Sequence, residues 1–159
     1  MKRFIVLLLT AAIASVLCGC GASEYSKDNE YVQKIKSLVN TSVEYTRVWR
    51  ENDQSFDYSD TESANEYINI LDKLCQTYRK ILILQPTNKF DENDLEMKES
   101  IRNIIAVTSE IKSHVKYSVD KADDSLFKKE KQELFDRYDE YHEAVASSSQ
   151  YIKTFWRNA

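Results

Sequence analysis

Few groups in this 159-residue chain can do chemistry: three cysteines, at positions 18, 20 and 75, and two histidines, each with an acid about one helical turn away. Glu110 and His114 are four residues apart and Asp139 and His142 three, spacings that place both members of a pair on one face of a helix. Helical bundles hold metals with such groups, converging carboxylates and Glu-x-x-His pairs from facing helices. A di-iron centre of that kind takes two Glu-x-x-His pairs and two further glutamates, and this sequence contains no Glu-x-x-His. The apolar neighbours Ile111 and Val115, and Tyr138 and Tyr141, set the histidines beside a core and not at its centre. Two solvated histidines and no metal are therefore expected. Covalent haem would need Cys-x-x-Cys-His, and a nucleophile with its histidine and acid would need an elbow or oxyanion loop. Neither pattern occurs, so no catalytic residue is assigned, and a protein that is not an enzyme and carries no cofactor is expected.

The thiols have a clearer context. Met1-Lys2-Arg3 is positive, and the fourteen residues from Phe4 to Leu17 carry no charge, the pattern of a secretory signal. A spanning helix needs about 20 apolar residues, and here the run breaks at Cys18-Gly19-Cys20-Gly21. Leu17-Cys18-Gly19-Cys20 resembles the lipobox of bacterial lipoproteins: an aliphatic residue, a variable one, a small one and a cysteine. The resemblance implies that Cys20 receives a diacylglyceryl group and that the signal peptidase recognises Leu17 and Gly19 and cuts before Cys20. Gly19 favours Cys20 over Cys18, which the bulky Leu17 precedes. An uncleaved anchor, or a general signal cut after Ala22, is the alternative. The implied place is the extracytoplasmic side of a cell membrane or outer membrane, and Gly21 is not the aspartate that retains enteric lipoproteins at the inner membrane. Two acyl chains suffice for stable attachment, each buried methylene contributing about 0.8 kcal/mol.

Of the 22 basic residues, Lys2 and Arg3 precede Cys20, leaving 20 against 26 acidic ones and a net charge of -6. That balance argues against a nucleic-acid partner and gives no help on anionic lipid. The 140 residues from Cys20 suffice for one domain with a real core. Cys75 is then the only cysteine left besides Cys20, so no disulfide within the chain is expected, and its place in an apolar stripe suits a small buried hydrophobe.

Glycine and proline decide the fold class. No glycine follows Gly21, and Pro86 is the only proline, whereas hairpins and nucleotide-binding loops use glycine turns. An all-α chain follows, with residues 1–19 as signal, 20–29 as a short tether and 30–159 as one helical domain.

Four stripes alternate by three and four residues. The first helix spans 27–50, with Tyr31, Ile35, Leu38, Ser42, Tyr45 and Trp49 inward, widened by Val32, Val39 and Val43. The polar run 51–60 connects, and Ser59 with Glu62 fits a capping box. The second helix presents Ala64, Tyr67, Leu71, Leu74, Tyr78 and Ile81 and stops just before Pro86. Asp91 to Asp94 can cap or charge the start of the third, whose stripe is Ile101, Ile104, Thr108, Ile111, Val115, Ser118 and Ala122. Phe127, Leu134, Tyr138, Tyr141, Val145, Ser148, Ile152 and Phe155 mark a fourth, after a cap in Asp123-Asp124-Ser125. An antiparallel four-helix bundle buries all four stripes; one long helix over 91–155 in a three-helix arrangement is the alternative. The layout also resembles small uncharacterised lipoproteins of Gram-positive bacteria, with helical pairs flanking a proline loop after the lipid cysteine.

The ten tyrosines fit core packing, or an aromatic groove for a ligand. Phe155 and Trp156 are adjacent and cannot both point inward, which makes them a candidate interaction surface, with a frayed terminus as the alternative. The expected role is non-catalytic contact with an envelope protein, a second copy or a small ligand. The alternative is a carrier with a pocket between the helices, hinted at by Ser42, Thr108, Ser118 and Ser148, although small residues also let helices approach closely.

Overall fold

The structure, a computed structural model, describes the backbone of residues 2–53 and 56–158 and the side chains of residues 26–51, 53, 56–87 and 89–152. Four helices follow one another: α1 (Lys2–Asn52), α2 (Thr61–Leu82), α3 (Asp91–Lys121) and α4 (Ser125–Asn158), with a 3₁₀ turn over Asn88–Phe90 before α3. Each packs on the next and α1 closes the ring against α4, an up-down-up-down bundle with no strand among the described residues. The backbone of α1 runs through residues 20–29, the stretch expected as a tether, and side-chain burial on it begins at Asp28 and Tyr31.

The starts of the helices are set by side-chain oxygens. Asp60 caps α2, accepting the Ser63 N–H at 2.8 Å, and the Ser63 hydroxyl accepts the Asp57 N–H at 3.0 Å. Ser59, expected to cap with Glu62, instead gives its N–H and hydroxyl to the Asp57 carboxylate at 3.0 and 2.7 Å. Helix α3 starts without a side-chain cap, because its acids Asp91, Glu92 and Asp94 already lie inside the first turn, where they favour the positive end of the helix.

The ends obey backbone limits. Helix α2 stops at Leu82, earlier than Pro86 alone demands, and the carbonyl of Leu84 is taken by the Lys98 ammonium. Helix α3 ends at Ala122, whose φ of 50° and ψ of 37° are left-handed. The Asp123 N–H bonds back to the Ser118 carbonyl at 3.0 Å, completing a Schellman turn. Asp123 then accepts the Ser125 N–H at 2.9 Å, and α4 begins. This turn replaces the single long helix over 91–155. Lys128, poorly placed near a helix start, is held 2.7 Å from the Asp124 carboxylate.

All four stripes face one core. Every residue of the α2 stripe is buried, and so are Ile101, Ile104, Thr108, Ile111, Val115 and Ser118 on α3. On α1 the buried face is turned slightly from the expected one: Val39 is buried and Leu38 half-buried, Val43 is exposed, and Thr46 is drawn inward by a 2.6 Å hydrogen bond with the Tyr138 hydroxyl. Trp49 is the centre of an aromatic knot, edge-on to Tyr138 at 4.9 Å and to Phe135 at 5.0 Å between ring centroids. Fully burying residues of this size contributes roughly 1.5–3 kcal/mol each.

Candidate functional site

Two polar clusters sit at opposite ends of the bundle, each built from residues distant in sequence. At the far end, the Asp53 carboxylate accepts the Tyr58 hydroxyl at 2.6 Å, the Tyr67 hydroxyl at 3.1 Å and the Lys131 ammonium at 2.8 Å. It is buried, and it ties the end of α1 to the connection, to α2 and to α4. Burial, then the neighbouring Asp53, raises both tyrosines well above the usual phenol range. Tyr58 and Phe56 set their rings edge-on to Tyr67 at 5.3 and 4.8 Å, so the polar-looking run 51–60 carries core residues. Arg50 lies beside this cluster, its guanidinium carbon 4.0 Å from the Phe135 ring centroid and 4.5 Å from that of Trp49, donating to Asp139 at 2.6 Å.

At the end where α1 enters, the Tyr31 hydroxyl donates to Asp94, and Lys98 lies 2.8 Å from the other Asp94 oxygen. Tyr31 stacks on Phe90 at 5.7 Å, and the buried Asp28 stands 3.9 Å from the Lys89 ammonium. Burial and Asp94 push the Tyr31 phenol well above its ordinary range. Apart from Asp28, one of whose buried carboxylate oxygens has no hydrogen-bond partner, the acids of the two clusters are bonded to hydroxyls and lysines within packed surroundings, an arrangement that fastens helices.

The histidine pairs do not assemble. Glu110 is held by the Arg137 guanidinium at 2.8 and 3.1 Å, and His114 instead faces Glu130 at 3.2 Å while stacking on Phe127. Asp139 is engaged by Arg50, and His142 stacks on Tyr138 at 5.7 Å. His142 is half-buried, not solvated, and burial lowers its imidazole below the usual histidine range. Among the described residues no three His, Cys, Asp or Glu side chains converge where a metal ion could sit. No family model, curated protein or solved structure matches this chain.

Of the four small polar residues on the stripes, three turn inward on their own helices and one lines an open groove. Ser42, Thr108 and Ser118 return their hydroxyls to carbonyls of their own helices, at Val39, Ile104 and His114. Ser148 lines an open groove of about 470 Å³ between α3 and α4, together with Glu96, Glu99, Asn103, Glu140 and Tyr141. A gap of about 70 Å³ between α1 and α4 is lined by Val32, Ile35 and Ile152. Cys75 is buried, and burial raises its thiol above the ordinary range. Tyr31, Tyr67, Tyr78 and Tyr138 are core residues, and Tyr45 and Tyr141 are half-buried.

The side chains of Leu17, Cys20, Phe155 and Trp156 lie outside the described residues, and of Gly19 only the α1 backbone is described; the backbone of α4 carries positions 155 and 156 to the end where α1 enters. Among the described residues no helix is long and apolar enough to cross a membrane. Sequence reasoning missed Asp53, Tyr58, Asp94 and Lys98. A lone buried lysine inside an otherwise regular stripe, as at Lys98, is the one signal that local spacing could have offered.

Proposed function

We propose that this chain is a lipid-anchored extracytoplasmic protein whose helical domain works by non-catalytic contact with another envelope protein. The anchor is read from Leu17-Cys18-Gly19-Cys20 behind a charged and then apolar leader. The observation that carries the role is the packed interior: the hydroxyls of Ser42, Thr108 and Ser118 turn back onto their own helices, and the buried Asp53 and Asp94 are held by tyrosines and lysines. A bundle so packed has its outer surface left for work. Intact mass and membrane fractionation, comparing wild type with Cys20→Ala, test the reading. A chain beginning at Cys20 with added acyl mass, lost in the variant, is expected. An unmodified chain in the soluble fraction, or one retaining residues 1–19, removes the anchor.

A second reading, a small-ligand carrier, is favoured by the open groove between α3 and α4. Its carboxylate rim suits a cationic ligand, and Glu99→Gln with Glu140→Gln is expected to abolish any saturable binding of such a ligand measured by calorimetry.

A further inference from the structure

Among the described residues six large apolar side chains are exposed, and the three most exposed are Ile83 at 74%, Leu95 at 63% and Tyr151 at 54%, against 47% for Tyr117, 44% for Val43 and 39% for Leu126. Chain direction puts those three at one end. Ile83 follows the last residue of α2, and Leu95 lies in the second turn of α3. Tyr151 adjoins Ile152, which faces Val32 and Ile35 of α1 across the small gap. Tyr31, bonded to Asp94 and stacked on Phe90, fixes the entry of α1 at this level. Tyr117 and Leu126 lie near the opposite end, beside the Ala122 turn.

We propose that this end of the bundle is a lipid-facing surface, with Ile83 and Leu95 seated among the headgroups of the membrane that holds the anchor. The proposal rests on the reading of Cys20 as that anchor. Cys20 precedes Asp28 by eight residues on α1, about 12 Å at the helical rise. The headgroup layer of one leaflet is roughly 5–8 Å thick. A bundle fastened so close needs only to lean toward its α2–α3 edge for the two side chains to reach lipid. The seating is apolar: Arg79 and Lys80 end α2, while Asp91 and Glu92 begin α3, so charges of both signs flank the edge. It therefore does not depend on anionic lipid.

Chains starting at Cys20, coupled through that thiol to a maleimide-bearing lipid in phosphatidylcholine vesicles, hold the domain at a surface whether or not the cell acylates the cysteine. Tryptophan at Ile83 (Ile83→Trp) or at Leu95 (Leu95→Trp), read as the difference from a Trp156→Phe background that keeps only the buried Trp49, is expected to be quenched by nitroxide-labelled lipid several-fold more strongly than tryptophan at Tyr117 (Tyr117→Trp). Equal quenching at the three positions overturns the proposal. So does a blue-shifted emission at 83 and 95 that the labelled lipid does not quench, which marks contact with a second protein copy. Intact mass of the native protein judges the anchor reading separately.

Discussion

The Lys131 ammonium lies 2.8 Å from the Asp53 carboxylate, joining residues 78 positions apart. Because the Asp53 carboxylate also holds the Tyr58 and Tyr67 hydroxyls, removing it strands the Tyr67 hydroxyl and the Lys131 ammonium, while the Tyr58 hydroxyl keeps the Asp53 backbone carbonyl at 2.9 Å. Asp53→Ala is expected to destabilise the fold by about 2–4 kcal/mol, measured by urea unfolding, whereas Lys131→Met, which keeps the aliphatic stem, costs less. Equal losses for the two variants would show that the tyrosine bonds contribute little.

The tyrosines of the two clusters set an alkaline limit. Burial, then the acids beside them, raises Tyr31, Tyr58 and Tyr67 above their unfolded value near 10. The folded state therefore resists losing these protons. Stability is fully present below about pH 10 and declines as pH climbs past it, because the unfolded chain ionises first. Thermal melts between pH 8 and 11 should keep a level midpoint and then fall, and Tyr58→Phe should soften that fall. A midpoint unaffected up to pH 11 would contradict the assignment.

At the other extreme, His142 is held below its unfolded value near 6.5 by burial against Tyr138, with Asp139 and Glu143 partly opposing and Arg50 reinforcing. Its contribution is present above that value and is lost as pH drops through it. His142→Gln should show a shallower loss of stability between pH 7 and 5 than wild type. A matching slope would mean that the imidazole stays neutral or stays solvated in both states.

Ala122 occupies left-handed geometry, with φ at 50°, where a β-carbon crowds the backbone. Ala122→Gly is expected to raise stability by about 1 kcal/mol, since glycine accepts this cap without the clash. A loss of stability in that variant would indicate that the turn differs in solution.

Cys75 is shielded in the core of α2. Its thiol should be unreactive toward aromatic disulfide reagents in buffer and react fully in urea, at a rate tracking global opening. Fast labelling in buffer would point to local opening of the α2–α3 seam.

The apolar stripes of α2 and α3 were readable because a three-four alternation survives wherever the buried face is straight and apolar, as from Ala64 to Ile81. The turn at Ala122 was legible only through its polar residues, since no glycine marks it. What the local pattern hid were polar residues whose partners lie far along the chain. Asp94 read as a helix-start charge, yet Tyr31 claims it from 63 residues away. Val43 and Thr46 exchanged places because the Tyr138 hydroxyl selects the threonine. In the run 51–60, charge concealed Tyr58, which is buried against Phe127 at 4.8 Å. The role of Cys20 is read from sequence alone.

An even number of antiparallel helices brings the entry of α1 and the exit of α4 to one end, and among the described residues the seam between those two helices is the lightest in the ring. Tension applied between the two termini would then load that seam in peeling geometry, parting one turn at a time. A shear load would have to break every layer together. The bundle should thus withstand denaturant far better than it withstands a pull.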